Sequence, residues 1–179
     1  HPPTTPRRQR QMCIRDSEMP SMVGLESVVR PRNSPLLTHV HTYQGIKRVW
    51  TTFSDDQIDL NFANPEVLCE FVHILFSYIA QGARFIRLDA IAFLWKELST
   101  SSINLEQTHC VVRVLRALID EMQTQTLLLT ETNLPHNENV SYFGSRDEAH
   151  LVYQFSLAPL ILYSYLCLLY TSPSPRDRN

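Results

Sequence analysis

The chain has little excess charge of either sign. Its 179 residues include 16 Lys and Arg against 18 Asp and Glu, and the formal net charge is −2. Aromatic residues make up 9% of the chain. Binding to nucleic acid requires a basic surface for the phosphates, and single strands are commonly held on stacked aromatic side chains. The composition indicates neither feature, so we expect no nucleic-acid partner.

Cysteine is also scarce, and its placement excludes two classes of stabilised fold. The four cysteines are far apart and form no CxxC pair, which argues against structural zinc and against a disulfide framework. Cys69 and Cys110 fall within helical patterns, so we expect both to be small core residues. His39-x-His41 has no third ligand in a matching context, so we expect no metal site.

Long apolar segments are missing as well. The N-terminus lacks the apolar stretch of a signal peptide, which favours a reducing compartment, and we expect the cytoplasm. The run from Leu157 to Tyr170 is apolar over 14 residues, and about 20 are needed to cross a bilayer. We therefore expect no membrane partner and interpret this run as a buried helix.

Both ends of the chain differ from the middle. Residues 1–17 are rich in Arg and Pro without an apolar period, and residues 167–179 break from the preceding helical pattern. Both segments resemble translated read-through of sequencing adapters, so we expect them to be non-native. The alternative is a pair of natural, disordered termini.

Helical and strand patterns alternate between these ends. Asn64-Pro65-Glu66 is typical of a helix start, apolar residues then recur at helical spacing, and Gly82 predicts its end. Further segments are a hairpin over 39–50 with its turn at Gly45, a helix after an approximate capping box at Asn104 and Gln107, strands at 126–130 and 151–155, and a helix from Pro159 to Leu166. The order of helices and strands predicts a parallel sheet built from βα units.

The stretch from Gly82 to Lys96 places two charged residues in an apolar strand. Arg87 and Asp89 are two positions apart, so in a strand both side chains lie on one face. Ile86 and Leu88 point the other way, and a strand that is apolar on both faces is typical of a parallel sheet covered by helices. Buried charges are costly without a purpose, and the C-terminal ends of strands in α/β barrels provide one, because active sites lie there.

A second carboxylate follows the next predicted strand. Asp89 and Glu131 each end a strand, one βα unit apart, and neighbouring strands lie about 4.8 Å apart. Two carboxylates about 5–5.5 Å apart are the arrangement of retaining glycosidases, with one as nucleophile and the other as acid/base. From these two residues alone, the alternative is a pair that caps loops or binds Arg.

Three ordered segments resemble motifs of the α-amylase superfamily, glycoside hydrolase family 13. DDQIDLNF at 55–62 is similar to its loop-3 motif, RLDA at 87–90 to its fourth-strand nucleophile motif, and TETN at 130–133 to its fifth-strand acid motif. The longer segments VWTTFSDDQIDLNFANPEVL, GARFIRLDAIAFLWKE, TETNLPHNENVSYFG and LVYQFSLAPLIL are more similar still to its sucrose-phosphorylase branch. That branch includes phosphorylases of sucrose, sucrose phosphate, glucosylglycerol and glucosylglycerate. The resemblance covers about residues 28–166.

The resemblance implies an α/β fold, a partial (β/α)8 TIM barrel of about strands four to six with part of the inserted loop-3 domain. We expect residues 18–62 to form that part of the inserted domain and residues 63–166 to form the barrel portion. A whole barrel takes about 250 residues. The family's third-strand Asn-His motif and seventh-strand His-Asp motif are not in this sequence, so we expect an incomplete site and no activity from the isolated chain.

The resemblance also implies an activity and its residues. A retaining α-glucoside phosphorylase would use Asp89 as nucleophile and Glu131 as acid/base, with Arg87 keeping Asp89 ionised and oriented. Inorganic phosphate would be the co-substrate, with no other cofactor, and the partner would be an α-glucoside such as sucrose or glucosylglycerate. The remaining positions similar to sugar or acceptor contacts are Phe53, Phe93, Asn133 and His136, for each of which ordinary loop packing is the alternative.

Several polar residues receive simpler interpretations. We expect Asp59 and Asn61 to brace the loop-3 segment and His109 to lie on a helix surface or edge. We expect Lys96 to be solvated, with contact to an anionic acceptor as the alternative. The sequon at Asn139 matters only in a secreted protein. Two functional alternatives stay open, namely a hydrolase or transglucosidase of the same superfamily and a catalytically incomplete chain.

Overall fold

The computed structural model describes residues 24–43 and 45–167. The expectation of non-native ends lies outside the described residues for 1–17 and 168–179, as do residues 18–23 of the predicted inserted domain. The regular elements, in chain order, are β1 (Leu37–Thr42), β2 (Gly45–Trp50), α1 (Pro65–Ala80), β3 (Phe85–Leu88), a 3-10 turn (Ile91–Phe93), α2 (Glu106–Glu121), β4 (Leu127–Thr130), α3 (His136–Val140), a 3-10 turn (Ser141–Phe143), β5 (Leu151–Val152) and α4 (Leu157–Leu166).

The N-terminal strands form the predicted hairpin. β1 and β2 pair antiparallel, with Leu37 opposite Trp50 and Thr42 opposite Gly45. Gly45 therefore opens the second strand directly after the turn. Trp50 is buried with Val28 and Leu36, in a small core separate from that of the main sheet.

The main sheet is parallel, as the order of elements predicted. Its three described strands lie in the order β3-β4-β5, and Leu88 at the end of β3 pairs with Thr130 at the end of β4. β5 is shorter than the predicted strand over 151–155 and pairs Val152 with Thr130. The α/β class with consecutive parallel strands is therefore confirmed.

α1 begins and ends where the sequence predicts. The Asn64 side chain accepts a hydrogen bond from the Glu66 N–H at 3.0 Å, and Pro65 is the first helical residue. Val67 and Leu75 face the core. Gly82 follows the helix with a φ of +92°, in the left-handed region that favours glycine.

α2 has the predicted apolar face but not the predicted capping box. Asn104 has a φ of +53° and lies before Leu105, which is the N-cap residue and makes no side-chain cap. The Asn104 N–H instead donates to the Ala92 carbonyl at 2.8 Å, which ties the loop to the 3-10 turn after β3. Because this tertiary contact sets the backbone of Asn104, its side chain does not cap the helix.

The main core lies between the parallel sheet and the two long helices. Its buried members include residues from α1, α2, β3 and β4, and Tyr142 from the 3-10 turn before β5. They are Phe62, Val67, Leu75, Leu88, Ile91, Val111, Val112, Leu115, Ile119, Leu128 and Tyr142.

The cysteine prediction and the α4 prediction are both wrong. Cys69 and Cys110 are exposed, because the core-facing positions of α1 and α2 belong to their apolar neighbours. α4 begins at Leu157, two residues before Pro159, and none of its residues is buried. Among the described residues, the helices are too short or too polar to cross a membrane.

A buried polar cluster joins α2 to the segment before β5, and it corrects the expectation for His109. His109 is buried and stacks on Tyr142 with ring centroids 4.4 Å apart. Its Nδ1 lies 2.8 Å from Glu148 Oε2, while Arg113 Nη1 donates to Glu148 Oε1 at 3.1 Å. Burial raises the pKa of Tyr142, and the charge of Glu148 adds to that effect. The periodicity of α2 could not reveal His109 as a core residue because its partner is 39 positions away.

We predict that Gly144→Ala destabilises the protein more than Gly82→Ala. Both glycines have positive φ values, +54° and +92°, so each substitution should cost about 1–3 kcal/mol in backbone strain. A Cβ at Gly144 would also lie 2.9 Å from Cγ of Glu148, whereas a Cβ at Gly82 meets no atom within 4 Å. Urea-induced unfolding of the full-length gene product measures the loss in free energy of unfolding for each variant. Equal losses would contradict the prediction, because they would show that the Glu148 side chain moves away from the added Cβ at no cost.

Candidate active site

The register of the parallel sheet brings Asp89 and Glu131 together. Leu88 pairs with Thr130, so the residues that follow them, Asp89 and Glu131, lie at the same edge of the sheet. Backbone bonds continue past the strands: the Glu131 N–H donates to the Leu88 carbonyl at 3.0 Å, and the Ile91 N–H donates to the Glu131 carbonyl at 3.3 Å. The two carboxylates therefore sit on adjacent strand ends, on the face that Arg87 shares.

One guanidinium group contacts both carboxylates. Arg87 Nη2 lies 2.7 Å from Asp89 Oδ1 and 3.7 Å from Glu131 Oε1. The Asp89 side chain is 72% exposed, whereas that of Glu131 is 14% exposed. The same cation therefore bridges an open carboxylate, accessible to a substrate, and an enclosed one.

Ala90 links the two strand ends through its backbone. Its N–H donates to Glu131 Oε2 at 2.8 Å, and its φ of +47° and ψ of +36° lie in the left-handed region. A residue with a Cβ pays a steric cost there. The turn after β3 thus holds an unfavourable conformation that directs an amide at the Glu131 carboxylate, and motif comparison did not single this residue out.

A cavity of about 460 Å³ lies beside β3. Arg87 and Asp89 line it together with Phe53 and Phe93, whose rings meet edge to face with centroids 5.4 Å apart. Most of the remaining lining is apolar. The structure therefore brings together four of the seven predicted site residues around one cavity, and Glu131 joins them through Arg87 and Ala90.

Asn133 and His136 are placed differently. Both are exposed, Asn133 in the loop after β4 and His136 at the start of α3, and neither lines the cavity. Their assignment as sugar or acceptor contacts stays a prediction.

Lys96 is not solvated, contrary to expectation. Its side chain is 8% exposed, and its Nζ lies 2.7 Å from Asp59 Oδ2 and 3.1 Å from Thr52 Oγ1. It also donates to the Phe93 carbonyl and lies 5.8 Å from the centroid of the Trp50 ring. Burial lowers the pKa of Lys96, and the charge of Asp59 opposes that shift. The sequence shows no partner for Lys96 because Asp59 is 37 positions away.

The prediction that Asp59 and Asn61 brace the loop-3 segment is confirmed. Asp59 accepts a hydrogen bond from the Thr52 N–H at 3.4 Å and a second one from the Thr52 hydroxyl. Asn61 Oδ1 accepts from the Ala63 N–H at 3.1 Å. Thr52 precedes Phe53, and Lys96 donates to the Phe93 carbonyl, so these contacts hold the backbone next to Phe53 and at Phe93.

The described residues include no group of three or more His, Cys, Asp or Glu side chains placed to hold a metal ion. The polar groups that converge on the site are instead two carboxylates and one guanidinium. That donor set suits covalent and acid/base chemistry on a bond that lies between the carboxylates.

Comparison with known proteins agrees with this geometry. The family model for the α-amylase catalytic domain matches residues 46–165. The chain belongs to the α-amylase family. In a member of this family, the strand ends of a barrel are where an active site is expected, and Asp89 and Glu131 lie at such ends.

Two curated relatives within the family are particularly similar. A glucosylglycerate phosphorylase of Spirochaeta thermophila is 55% identical over 142 residues, which are 79% of this chain and 24% of that protein. A glucosylglycerate phosphorylase of Escherichia coli strain K12 is 52% identical over 142 residues, 78% of this chain and 25% of that protein. The chain thus spans about a quarter of the length of the curated relatives it matches.

A solved structure supports the fold. The sucrose 6F-phosphate phosphorylase of Thermoanaerobacter thermosaccharolyticum superposes with a TM-score of 0.69 at 22% identity, covering 80% of this chain and 30% of that chain. At this identity the likeness shows the fold alone, and it confirms the expected partial TIM-barrel region.

We predict that Lys96→Met destabilises the protein by about 3–5 kcal/mol, because it leaves Asp59 buried without its cation. The double variant Lys96→Met with Asp59→Asn should recover part of this loss, since the amide carries no charge and can still accept from Thr52. Urea-induced unfolding of the single and double variants gives the coupling energy. Strict additivity of the two losses would contradict a buried ion pair.

Proposed function

We propose that the protein containing this chain is a retaining α-glucoside phosphorylase that works by double displacement. The observation that carries the proposal is the pair of carboxylates on adjacent strand ends, bridged by Arg87, in a chain 55% and 52% identical to glucosylglycerate phosphorylases. Residues 18–62 would contribute to the inserted domain and residues 63–166 to the barrel.

In the first displacement, Asp89 attacks the anomeric carbon of the glucoside. The bond from that carbon to the leaving oxygen breaks as a bond to the Asp89 carboxylate forms, and Glu131 gives its proton to the leaving oxygen. The Ala90 N–H donates a hydrogen bond to Oε2 of Glu131, which favours Oε1 as the oxygen that carries the proton. Arg87 is closer to Asp89 than to Glu131, so its charge stabilises the nucleophile more strongly than the acid.

In the second displacement, phosphate takes the place of the departed group. Asp89 is then an uncharged ester, and Glu131, which has given up its proton, is the carboxylate that Arg87 contacts and that can serve as the base. Glu131 removes a proton from the phosphate as a phosphate oxygen attacks the anomeric carbon. The bond to Asp89 breaks, and α-glucose 1-phosphate leaves with its original anomeric configuration.

The relatives suggest the substrate class. Glucosylglycerate, whose aglycone is a small hydroxy acid, is the donor we propose first, with inorganic phosphate as co-substrate and no other cofactor. Phe53 and Phe93 would offer an apolar wall to the sugar ring, while Asn133 and His136 would contact the donor or acceptor from the loop after β4. We also propose the cytoplasm as the compartment, since the exposed thiols of Cys69 and Cys110 stay reduced there.

We predict that Asp89→Asn and Glu131→Gln each lower the turnover of glucosylglycerate by the full-length gene product, the former by about 10⁴-fold or more. The amide at position 89 is a poor nucleophile, and the amide at position 131 has no proton to transfer. Steady-state rates of glucose 1-phosphate release measure both effects. Glu70→Gln, an exposed change on α1, is the control and should retain full activity. Persistent activity of Asp89→Asn would overturn the assignment of the nucleophile.

We further predict that the wild-type protein forms glucose 1-phosphate from glucosylglycerate only when phosphate is present. Chromatography of the products with and without phosphate checks this. Free glucose at the same rate in both conditions would instead identify a hydrolase, and a new glucoside without phosphate would identify a transglucosidase.

A further inference from the structure

We propose that Thr132 and Asn139 are positioning residues that hold the Glu131 carboxylic acid from behind. The inference rests on the proposed function, because it assigns a role relative to the acid/base residue. Neither residue touches the cavity beside β3. The sequence marks Asn139 only as part of a sequon and Thr132 only as part of the TETN segment.

Asn139 is a buried amide with both ends of its side chain engaged. It is 3% exposed, and Thr132, which is 2% exposed, donates its hydroxyl to Asn139 Oδ1. Asn139 Nδ2 donates to the Tyr153 carbonyl at 2.9 Å. Its backbone N–H donates to the Pro135 carbonyl at 2.9 Å, which anchors the first turn of α3. The amide therefore connects the residue after Glu131 to the end of β5.

The direction of the side chains explains how this contact acts on Glu131. Successive residues of an extended segment point to opposite faces. Glu131 accordingly lies on the face of Arg87, which it contacts, while the Thr132 side chain is buried on the other face. Tyr153 also donates its N–H to the Thr130 carbonyl at 2.9 Å. Thr130 and Thr132 are thus both held to Tyr153, one directly and one through Asn139, and Glu131 lies between them.

The opposite side of Glu131 is held independently. Its N–H donates to the Leu88 carbonyl at the end of β3, and its Oε2 accepts from the Ala90 N–H in the turn that follows. A general acid must lie within hydrogen-bond reach of the atom it protonates, and a displacement of about 1 Å can cost about 100-fold in rate. Removal of the Thr132–Asn139 contact would leave only the Thr130–Tyr153 bond on the β5 side, so that Glu131 could shift away from the leaving oxygen.

The test compares Thr132→Val with Thr126→Val in the full-length gene product. Thr126 directly precedes β4, is 3% exposed and donates its hydroxyl to the Ala83 carbonyl at 2.9 Å. Both variants remove one buried hydroxyl from a residue flanking β4, at similar cost in stability. Thr126 is far from the strand ends that carry the carboxylates, so Thr126→Val should leave the rates unchanged. Thr132→Ser keeps the donor and should restore most of the activity.

The readout is the dependence of the rate on the leaving group. With glucosylglycerate, departure of the alkoxide needs the proton of Glu131, so we expect Thr132→Val to lower kcat by about tenfold or more. With α-glucosyl fluoride, fluoride leaves with little help from an acid. We therefore expect formation of the glucosyl-enzyme, followed as the fluoride burst, to change by less than about twofold.

Asn139→Asp provides a second variant if Thr132→Val does not fold. It keeps the shape and an acceptor for Thr132 but loses the donor to Tyr153, and the same selective loss with glucosylglycerate is expected. Equal losses with both substrates, or equal losses in Thr132→Val and Thr126→Val, would overturn the inference.

Glu131→Gln separates failure of this inference from failure of the proposed function. If Glu131→Gln loses turnover of glucosylglycerate but forms the glucosyl-enzyme from the fluoride while Thr132→Val behaves as wild type, only the positioning role is wrong. If Glu131→Gln shows no dependence on the leaving group, the acid/base assignment itself is wrong.

Discussion

The pairing of β3 with β4 is the interaction on which the site depends. The register that sets Leu88 opposite Thr130 brings the residues that follow them, Asp89 and Glu131, to the same edge of the sheet. A shift of one residue would turn one carboxylate to the opposite face, because side chains alternate along a strand. The buried side chains of Leu88 and Leu128 oppose such a shift, since it would expose apolar groups that the helices now cover. The hydrophobic core therefore also holds the chemical groups in register.

The two cations near the cavity serve different purposes. Arg87 lines the cavity beside β3, and its guanidinium contacts both carboxylates, Asp89 and Glu131. Lys96 is enclosed and neutralises Asp59, which in turn holds Thr52. A buried ion pair of this kind contributes little net stability but is costly to break on one side. Lys96 thus holds the loops that carry Phe53 and Phe93, whereas Arg87 contacts the two carboxylates at the strand ends.

Local patterns predicted the elements that local physics controls. Asn64 and Pro65 determine the start of α1 through a side-chain cap and a preset φ, and the apolar spacing determines which face packs. Predictions failed where a distant partner decided the outcome. Asn104 bonds to Ala92 instead of capping α2, and His109 is buried because Glu148 and Tyr142 enclose it. Cys69 and Cys110 are exposed because their neighbours occupy the core positions.

The sequence by itself determined the α/β class, the order of parallel strands and the identity of the two carboxylates with their neighbouring arginine. Each follows from spacing along the chain, or from motifs whose residues are close together. Only the tertiary structure showed that Ala90 adopts a left-handed conformation and donates to Glu131, that Lys96 is paired with Asp59, and that Asn139 connects Thr132 to Tyr153. These contacts join residues that are separated by loops or whole elements, and their energy depends on burial and orientation, which no local pattern encodes.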